Sequence, residues 1–388
     1  METVNIVIIG AGVVGLAVAA AVSGKNEGVY VFEKNERFGQ ETSSHNSGVI
    51  HSGIHYPKDS LKAKLCVKGN FMTYEICEEY KIPFKKLGKL TVAITEEEIE
   101  ELHKLMMAGE ENGVEGLELL DKKEVEKLEP NVDVNEALLS PSTGIVEPDE
   151  LVHHFYAKAH KNNAVLATET EVTNLRKAKD GYEISGVSVG EKFTVTAKTV
   201  INCAGLCSDK IAGMTGLDVD KLGYRLHYCK GDYFRMVGNP PVRMLVYPVP
   251  QGPGLGIHLT PDLAGAVRLG PNAYYVNEIN YEVKSSEKEF REDVERFLPG
   301  IRERQIQVDS SGIRPKLQGP GDKFRDFVIR HEADKGLFGL VNLVGMESPG
   351  LTAAPAIGEF VLEIIETEIK GNSKIAITGC GERNGSQD

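Results

Sequence analysis

Residues 43–56 read SSHNSGVIHSGIHY, and three of the chain's ten histidines, His45, His51 and His55, fall inside them. Four serines, two glycines and an asparagine accompany them, with no acidic side chain. Such a stretch can be a polar loop, a metal cluster or one wall of an active site. The metal reading is the weakest of these. The histidines are six and four residues apart, and no cysteine or carboxylate lies between them to complete a ligand set. Hydroxyls that reach phosphate oxygens, and imidazoles that titrate near neutral pH, fit the third reading.

What precedes the loop says where it must sit. Val4–Ile9 is a short β-branched run, as a buried parallel strand requires. Gly10-Ala11-Gly12-Val13-Val14-Gly15 follows at once, then an alanine-rich helical stretch, then Val29–Phe32 and Glu33. Strand, glycine turn, helix, strand and acid are the dinucleotide fingerprint in its required order. Gly10 makes the turn, Gly12 lets a pyrophosphate approach, and Gly15 lets helix and strand pack. The helix N-terminus offers unpaired N–H groups to phosphate, and Glu33 is placed to accept from ribose hydroxyls. The apolar N-terminus therefore reads as a strand and glycine turn rather than a secretion signal, since it opens with Glu2 instead of a basic region.

Further along, helices are expected over about 60–80, 96–109 and 151–161, with the run EEEIEEL forming a solvated face. Strands are expected at 89–94, around Val165, Tyr182 and Phe193, at 199–205 and at 338–344. Residues 225–277 hold short β-like runs broken by proline and glycine, which predicts an antiparallel sheet. The fold class is therefore α/β: a discontinuous Rossmann-like nucleotide domain on a parallel sheet of the glutathione-reductase type, and a second domain on a mainly antiparallel sheet flanked by helices. The expected division is 1–80, 145–215 and 310–378 for the first, 81–144 and 216–309 for the second, and a frayed tail at 379–388.

Composition narrows the function. A net charge of −13 argues against nucleic acid and against a polybasic membrane anchor, because both need a basic face. No uncharged run is long enough to span a bilayer. Six cysteines without a CxxC pair suit reduced thiols, hence a cytoplasmic location, which leaves room for a peripheral place at the inner membrane face.

The runs SSHNSGVIHSGIHYPKDSLKAKLCVKG, NCAGLCSD, KGDYF, YPVP, LGIHLTPDLAGAVRLGPNA and SGIRP resemble the FAD-dependent oxidoreductases of the D-amino-acid oxidase superfamily over nearly the whole chain. Within it they are most similar to the L-2-hydroxyglutarate dehydrogenase branch. One run departs. Ser348-Pro349-Gly350-Leu351-Thr352 is similar to the glycerol-3-phosphate oxidases instead, which leaves that substrate, and amino-acid oxidation, as alternatives. A non-catalytic flavin subunit is the reading from a different class.

The resemblance implies bound FAD and no metal. FAD would lie on Gly10, Gly12, Val14 and Gly15, with Glu33 and Lys34 at the ribose. The loop Ser43, Ser44, His45, Asn46 and Ser47 would pass from the phosphates under the flavin. Gly205 would close the pyrophosphate side, and Gly345, Gly350, Leu351 and Thr352 would approach the ring. A helix that starts near Leu351 would aim its positive end at the flavin, favouring the reduced anion.

Oxidising a 2-hydroxy acid needs a base for the hydroxyl proton and a clamp for the carboxylate. His51 is the favoured base and His258 the second. Arg314 suits the clamp, since its fork matches a carboxylate, and Tyr247 is a donor to substrate. Lys64, Lys230 and Arg268 are candidates for a second cation. His153, His154 and His160 are expected on a helix surface away from the site. The expected partners are a small anionic substrate and an electron acceptor (oxygen, a quinone or a carrier protein), with homo-oligomerisation left open.

Overall fold

The structure, a computed structural model, describes residues 3–250 and 256–371. The expected tail at 379–388 and Cys380 lie outside the described residues.

Two large sheets hold most of the described strands, and Val49–Ile50, Gly144–Val146 and Phe84–Lys85 form a small third one. The first has eight strands. Thr3–Ile9 lies at its centre, parallel to Val29–Phe32 on one side and to the second half of Glu191–Asn202 on the other. Val165–Ala167 extends the parallel arrangement beyond Val29–Phe32, and Leu340–Val344 runs parallel to Glu191–Asn202. The parallel strands are apolar on both faces because helices cover one and a β-meander the other. Val13–Ser23, Pro148–Lys161 and Gly350–Ile364 pack on one face around Val18, Ala19, Leu151 and Ile357. The meander Thr170–Ala178, Gly181–Ser188, Glu191–Asn202 pairs antiparallel and buries Tyr182 and Leu175 against the other. Glu191–Asn202 thus serves both arrangements, with its outer half in the meander and its inner half in the parallel sheet.

The second sheet has nine strands. His227–Met236 is paired along its length with Ile306–Lys316 and also carries Val267–Leu269 and Tyr274–Val276. Leu259–Pro261, Leu245–Pro248, Lys89–Ala93, Glu136–Ser140 and Glu118–Asp121 continue it. The antiparallel pattern expected of residues 225–277 holds within that range. One pair in the sheet departs from it: Leu245–Pro248 runs parallel to Lys89–Ala93, which comes from a distant part of the chain.

Helix ends follow local chemistry. Ser60 Oγ accepts from Ala63 N at 3.1 Å and starts the helix Leu61–Tyr80. Thr95 and Glu98 form a capping box that starts Glu96–Glu111. Glu98 departs from the solvated face expected of EEEIEEL. Its carboxylate turns inward to the Ile94 N–H at 2.7 Å and to Arg296, so it is buried.

Candidate functional site

One cleft runs from the glycine turn of the first sheet to the face of the second. Gly12, Val13, Val14 and Gly15 line one end. Ser43, His45, Asn46, Ser47, Gly48 and His51 line its floor, and Gly205 and Cys203 its side. Tyr233, Tyr247, His258 and Arg314 come from the second sheet, and Met346 to Leu351 close the remaining wall. Nine separate stretches of sequence meet there.

The glycine turn is shaped by steric necessity. Gly10 has φ +102°, and a Cβ there would stand 2.5 Å from the Cys203 carbonyl oxygen. A Cβ on Gly15 would stand 2.0 Å from the Gly10 carbonyl oxygen, so helix and turn touch backbone to backbone. The helix start is left with N–H groups facing the cleft. Ser43 Oγ accepts from Val13 N at 2.9 Å, which anchors the histidine loop to that helix start. Glu33 accepts from the N–H groups of Ala11 and Asn35 at 2.8 and 2.9 Å. The carboxylate therefore braces the turn and retains lone pairs for a further donor.

At the other end His51 is held on several sides. Its N–H donates to Thr352 Oγ1 at 3.0 Å, its carbonyl accepts from Asn70 at 2.9 Å, and its Nε2 lies 3.3 Å from Ser348 Oγ. Burial, helped by the positive charge of Lys89, pulls its pKa down to about 3, so the ring is neutral at physiological pH. Tyr247 and His258 stack with ring centroids 3.5 Å apart and planes 11° from parallel. Burial lifts the Tyr247 hydroxyl far above its ordinary value, which keeps it a donor. Arg314 donates to the carbonyls of Asn272 at 3.0 Å and Cys229 at 3.4 Å. These bonds fix the guanidinium plane at the cleft wall without spending its charge on a carboxylate.

The cleft therefore brings together Gly12, Val14, Gly15, Ser43, His45, Asn46, Ser47, His51, Gly205, Tyr247, His258, Arg314, Gly350 and Leu351. Several other expected residues sit just outside it. Gly10 underlies the turn. Lys34 pairs with Glu41 at 3.3 Å beside the loop, and Ser44 faces a neighbouring groove. Gly345 packs on Leu317, and Thr352 is buried as a brace between the His51 N–H and the Val49 carbonyl.

The candidate second cations do not reach the cleft. Lys64 is exposed and pairs with Asp59 at 3.1 Å. Lys230 is buried behind the wall, donating to the Glu282 carbonyl beside Asp232. Arg268 pairs with Asp309 at 2.8 Å and donates to Asn46 O at 3.1 Å. His153 and His160 are exposed as expected, whereas His154 is half-buried against Tyr80.

The structure also places residues that motif reading passed over. Tyr233, inside the KGDYF run, lies buried in the wall with the Arg268 guanidinium 5.4 Å from its ring centre. Ser348 belongs to the run that departs from the 2-hydroxyglutarate pattern. Glu347 beside it is buried and paired with Lys62 at 2.8 Å and Lys316 at 3.8 Å. Lys89 is buried behind Tyr247.

A dinucleotide needs N–H donors for phosphate at one end and a dry wall for a flat ring at the other, and this cleft has both in line. Comparison with known proteins agrees. The sequence pattern of the DAO family, described as FAD dependent oxidoreductase, matches residues 5–364. The chain belongs to the DAO family of FAD-dependent oxidoreductases. FAD is its cofactor, and the fold is the α/β FAD-binding fold of that family. It is 38% identical to the mitochondrial L-2-hydroxyglutarate dehydrogenase of Arabidopsis thaliana, over 93% of this chain and 83% of that one. It is 32% identical to a glycerol 3-phosphate dehydrogenase of Caloramator mitchellensis, over 94% and 74%. Among solved structures, the dithionite-reduced L-alpha-glycerophosphate oxidase of Mycoplasma pneumoniae with FAD bound superimposes with a TM-score of 0.82. It is 29% identical, over 94% of this chain and 95% of that one. No helix among the described residues is long and apolar enough to cross a membrane.

Proposed function

We propose that the protein oxidises a 2-hydroxy acid to the 2-oxo acid, with L-2-hydroxyglutarate as the leading substrate. The observation that carries this reading is the convergence of His51, His258, Tyr247 and Arg314 on one cleft, at the end away from the glycine turn. The relative at 38% identity favours the same substrate.

In this reading Gly12, Val14, Gly15, Ser43 and Gly205 would hold the pyrophosphate of FAD. The histidine loop and the start of helix Gly350–Ile364 would hold its flavin. When bound, it takes up the hydride released from C2 of the substrate. Arg314 grips the C1 carboxylate, oriented by its two carbonyl bonds. A neutral imidazole takes the hydroxyl proton as the C2–H bond breaks. His51 is assigned that role and His258 the second place, because His51 is anchored on three sides. A buried histidine whose ordinary affinity for protons is suppressed gains basicity when an anion arrives beside it. The substrate carboxylate thus raises His51 toward a useful range only in the loaded site. Tyr247 donates to a substrate oxygen, steadied by its stack on His258.

Glycerol 3-phosphate is the second reading. It is favoured by the Ser348–Thr352 run and by the relative at 32% identity. The experiment that separates the two is anaerobic mixing of the FAD-loaded protein with each compound while the oxidised flavin band is followed. Bleaching by L-2-hydroxyglutarate, slowed about 10²-fold or more in His51→Ala, supports the leading reading. Bleaching by glycerol 3-phosphate alone transfers the site to the second.

A further inference from the structure

Lys89 opens the strand Lys89–Ala93 in the second sheet, and its side chain is 1% exposed. The other two strongly buried lysines have charged or carbonyl partners. Lys62 pairs with Glu347 at 2.8 Å, and Lys230 holds the Glu282 carbonyl and sits 4.0 Å from Asp232. Lys89 has no carboxylate within ion-pair distance among the described residues. Its Nζ lies 3.0 Å from His55 Nε2 and 5.2 Å from the centre of the Tyr247 ring. Both partners are neutral. Tyr247 lines the cleft and Lys89 does not, so the lysine stands one layer behind the wall.

A buried cation without an anion is costly, and an anion arriving from outside would relieve that cost. The cleft is where an anion would come closest. We infer that Lys89 is a positioning residue for anion binding: its ammonium, behind Tyr247 and His55, supplies the long-range counter-charge that holds a dianionic substrate, and proton loss from it weakens that hold. The inference rests on the proposed function for the charge of the substrate. It also fills the gap left by Lys64, Lys230 and Arg268, none of which faces the cleft.

The surroundings make the charge of Lys89 adjustable. Burial pulls its pKa down to about 7, with Cys66 pulling weakly the other way. The groups that face it are His51 and His55 from the loop, Cys66 from helix Leu61–Tyr80 and Tyr247 from the neighbouring strand, with His258 behind Tyr247 and His55. On the flanking strands its direct partners are Ser140 and Leu245, neither of which titrates. Burial holds His55 well below its ordinary value, so His55 Nε2 accepts from Lys89 and its Nδ1 carries the proton. That Nδ1 is buried with no partner among the described residues. The Lys89–His55 bond is therefore the one fixed point of the lysine's head.

The test is binding rather than turnover. Glutarate has the two carboxylates but no hydroxyl to oxidise. Its dissociation constant with the FAD-loaded protein can be read from the shift it causes in the flavin spectrum, from about pH 6 to about pH 9. Sulfate, whose charge stays fixed over that range, is the second probe. In the unmodified protein, affinity for both is expected to fall about tenfold as pH rises through about 7. Lys89→Arg keeps its charge and should bind tightly and evenly across the range. Lys89→Met should bind evenly but weakly, at the level of the unmodified protein at high pH. A purely structural lysine would not give this opposition between the two variants. The inference is overturned if Lys89→Met retains the pH dependence, if it binds as tightly as the unmodified protein at low pH, or if neither anion binds. Because no turnover is needed, a wrong substrate assignment would show as absent bleaching and leave this result readable.

Discussion

The two walls of the cleft are built on different principles. The nucleotide wall is local: the glycine turn, its helix and Glu33 lie within the first 33 residues, and backbone atoms do most of the work. The substrate wall is assembled from afar, with His51, Tyr233, Tyr247, His258 and Arg314 spread over more than 260 residues and Lys89 one layer behind them. It relies on side chains whose charge states are set by burial. The difference teaches that the glycine-turn end of the cleft is largely shaped by one supersecondary unit, whereas the proposed chemistry depends on how two sheets meet.

If this contrast is sound, damage to the two walls should have different signatures. The largest effect belongs to the nucleotide wall. Gly15→Val would push side-chain carbons into the Gly10 carbonyl, already 2.0 Å from an ideal Cβ. The expected result is purified protein without flavin absorbance, or no folded protein at all. Normal flavin content would break the comparison at its firmest point.

The next effect lies where the walls join. Glu347 is buried between Lys62 and Lys316 at the turn that leads into helix Gly350–Ile364. Glu347→Gln leaves the buried Lys62 ammonium and the half-buried Lys316 without their anion and should cost about 3–5 kcal/mol in urea unfolding. A change below about 1 kcal/mol would show that the junction tolerates unpaired charge.

A smaller, pH-dependent effect belongs to the substrate wall. Lys89 has a folded pKa of about 7 against an ordinary 10.5. Between those values the unfolded chain binds the proton and the folded chain does not, so stability rises with pH across that window. Below about 7 both states carry the proton and the dependence ends. Lys89→Met should abolish the rise while leaving flavin content unchanged. An unaltered pH profile of unfolding would contradict the assigned protonation.

The same contrast explains what could be read from the sequence. The parallel strands and the glycine turn follow from patterns short enough to see in one stretch, and so does the start of the helix near Leu351. Tyr247, His258 and Arg314 were legible through their runs, and the cleft does gather them. The role of Thr352 as a brace was not legible, because it depends on the His51 N–H some 300 residues away. Lys89 carries no motif signal at all. An alternating strand gives no sign that its first lysine will be buried without a carboxylate. The parallel pairing of Leu245–Pro248 with Lys89–Ala93 was equally hidden, since it joins segments about 150 residues apart.

The most direct test of the account is Arg314→Ala, measured for both FAD affinity and anaerobic reduction by L-2-hydroxyglutarate. Arg314 faces the cleft from the second sheet and is held there by two carbonyls, so the nucleotide wall should not notice its loss. The account predicts unchanged FAD binding, with substrate-driven bleaching reduced about 10²- to 10³-fold, mostly through weaker substrate binding. Loss of FAD affinity together with reduction, or reduction that proceeds as in the unmodified protein, would contradict it.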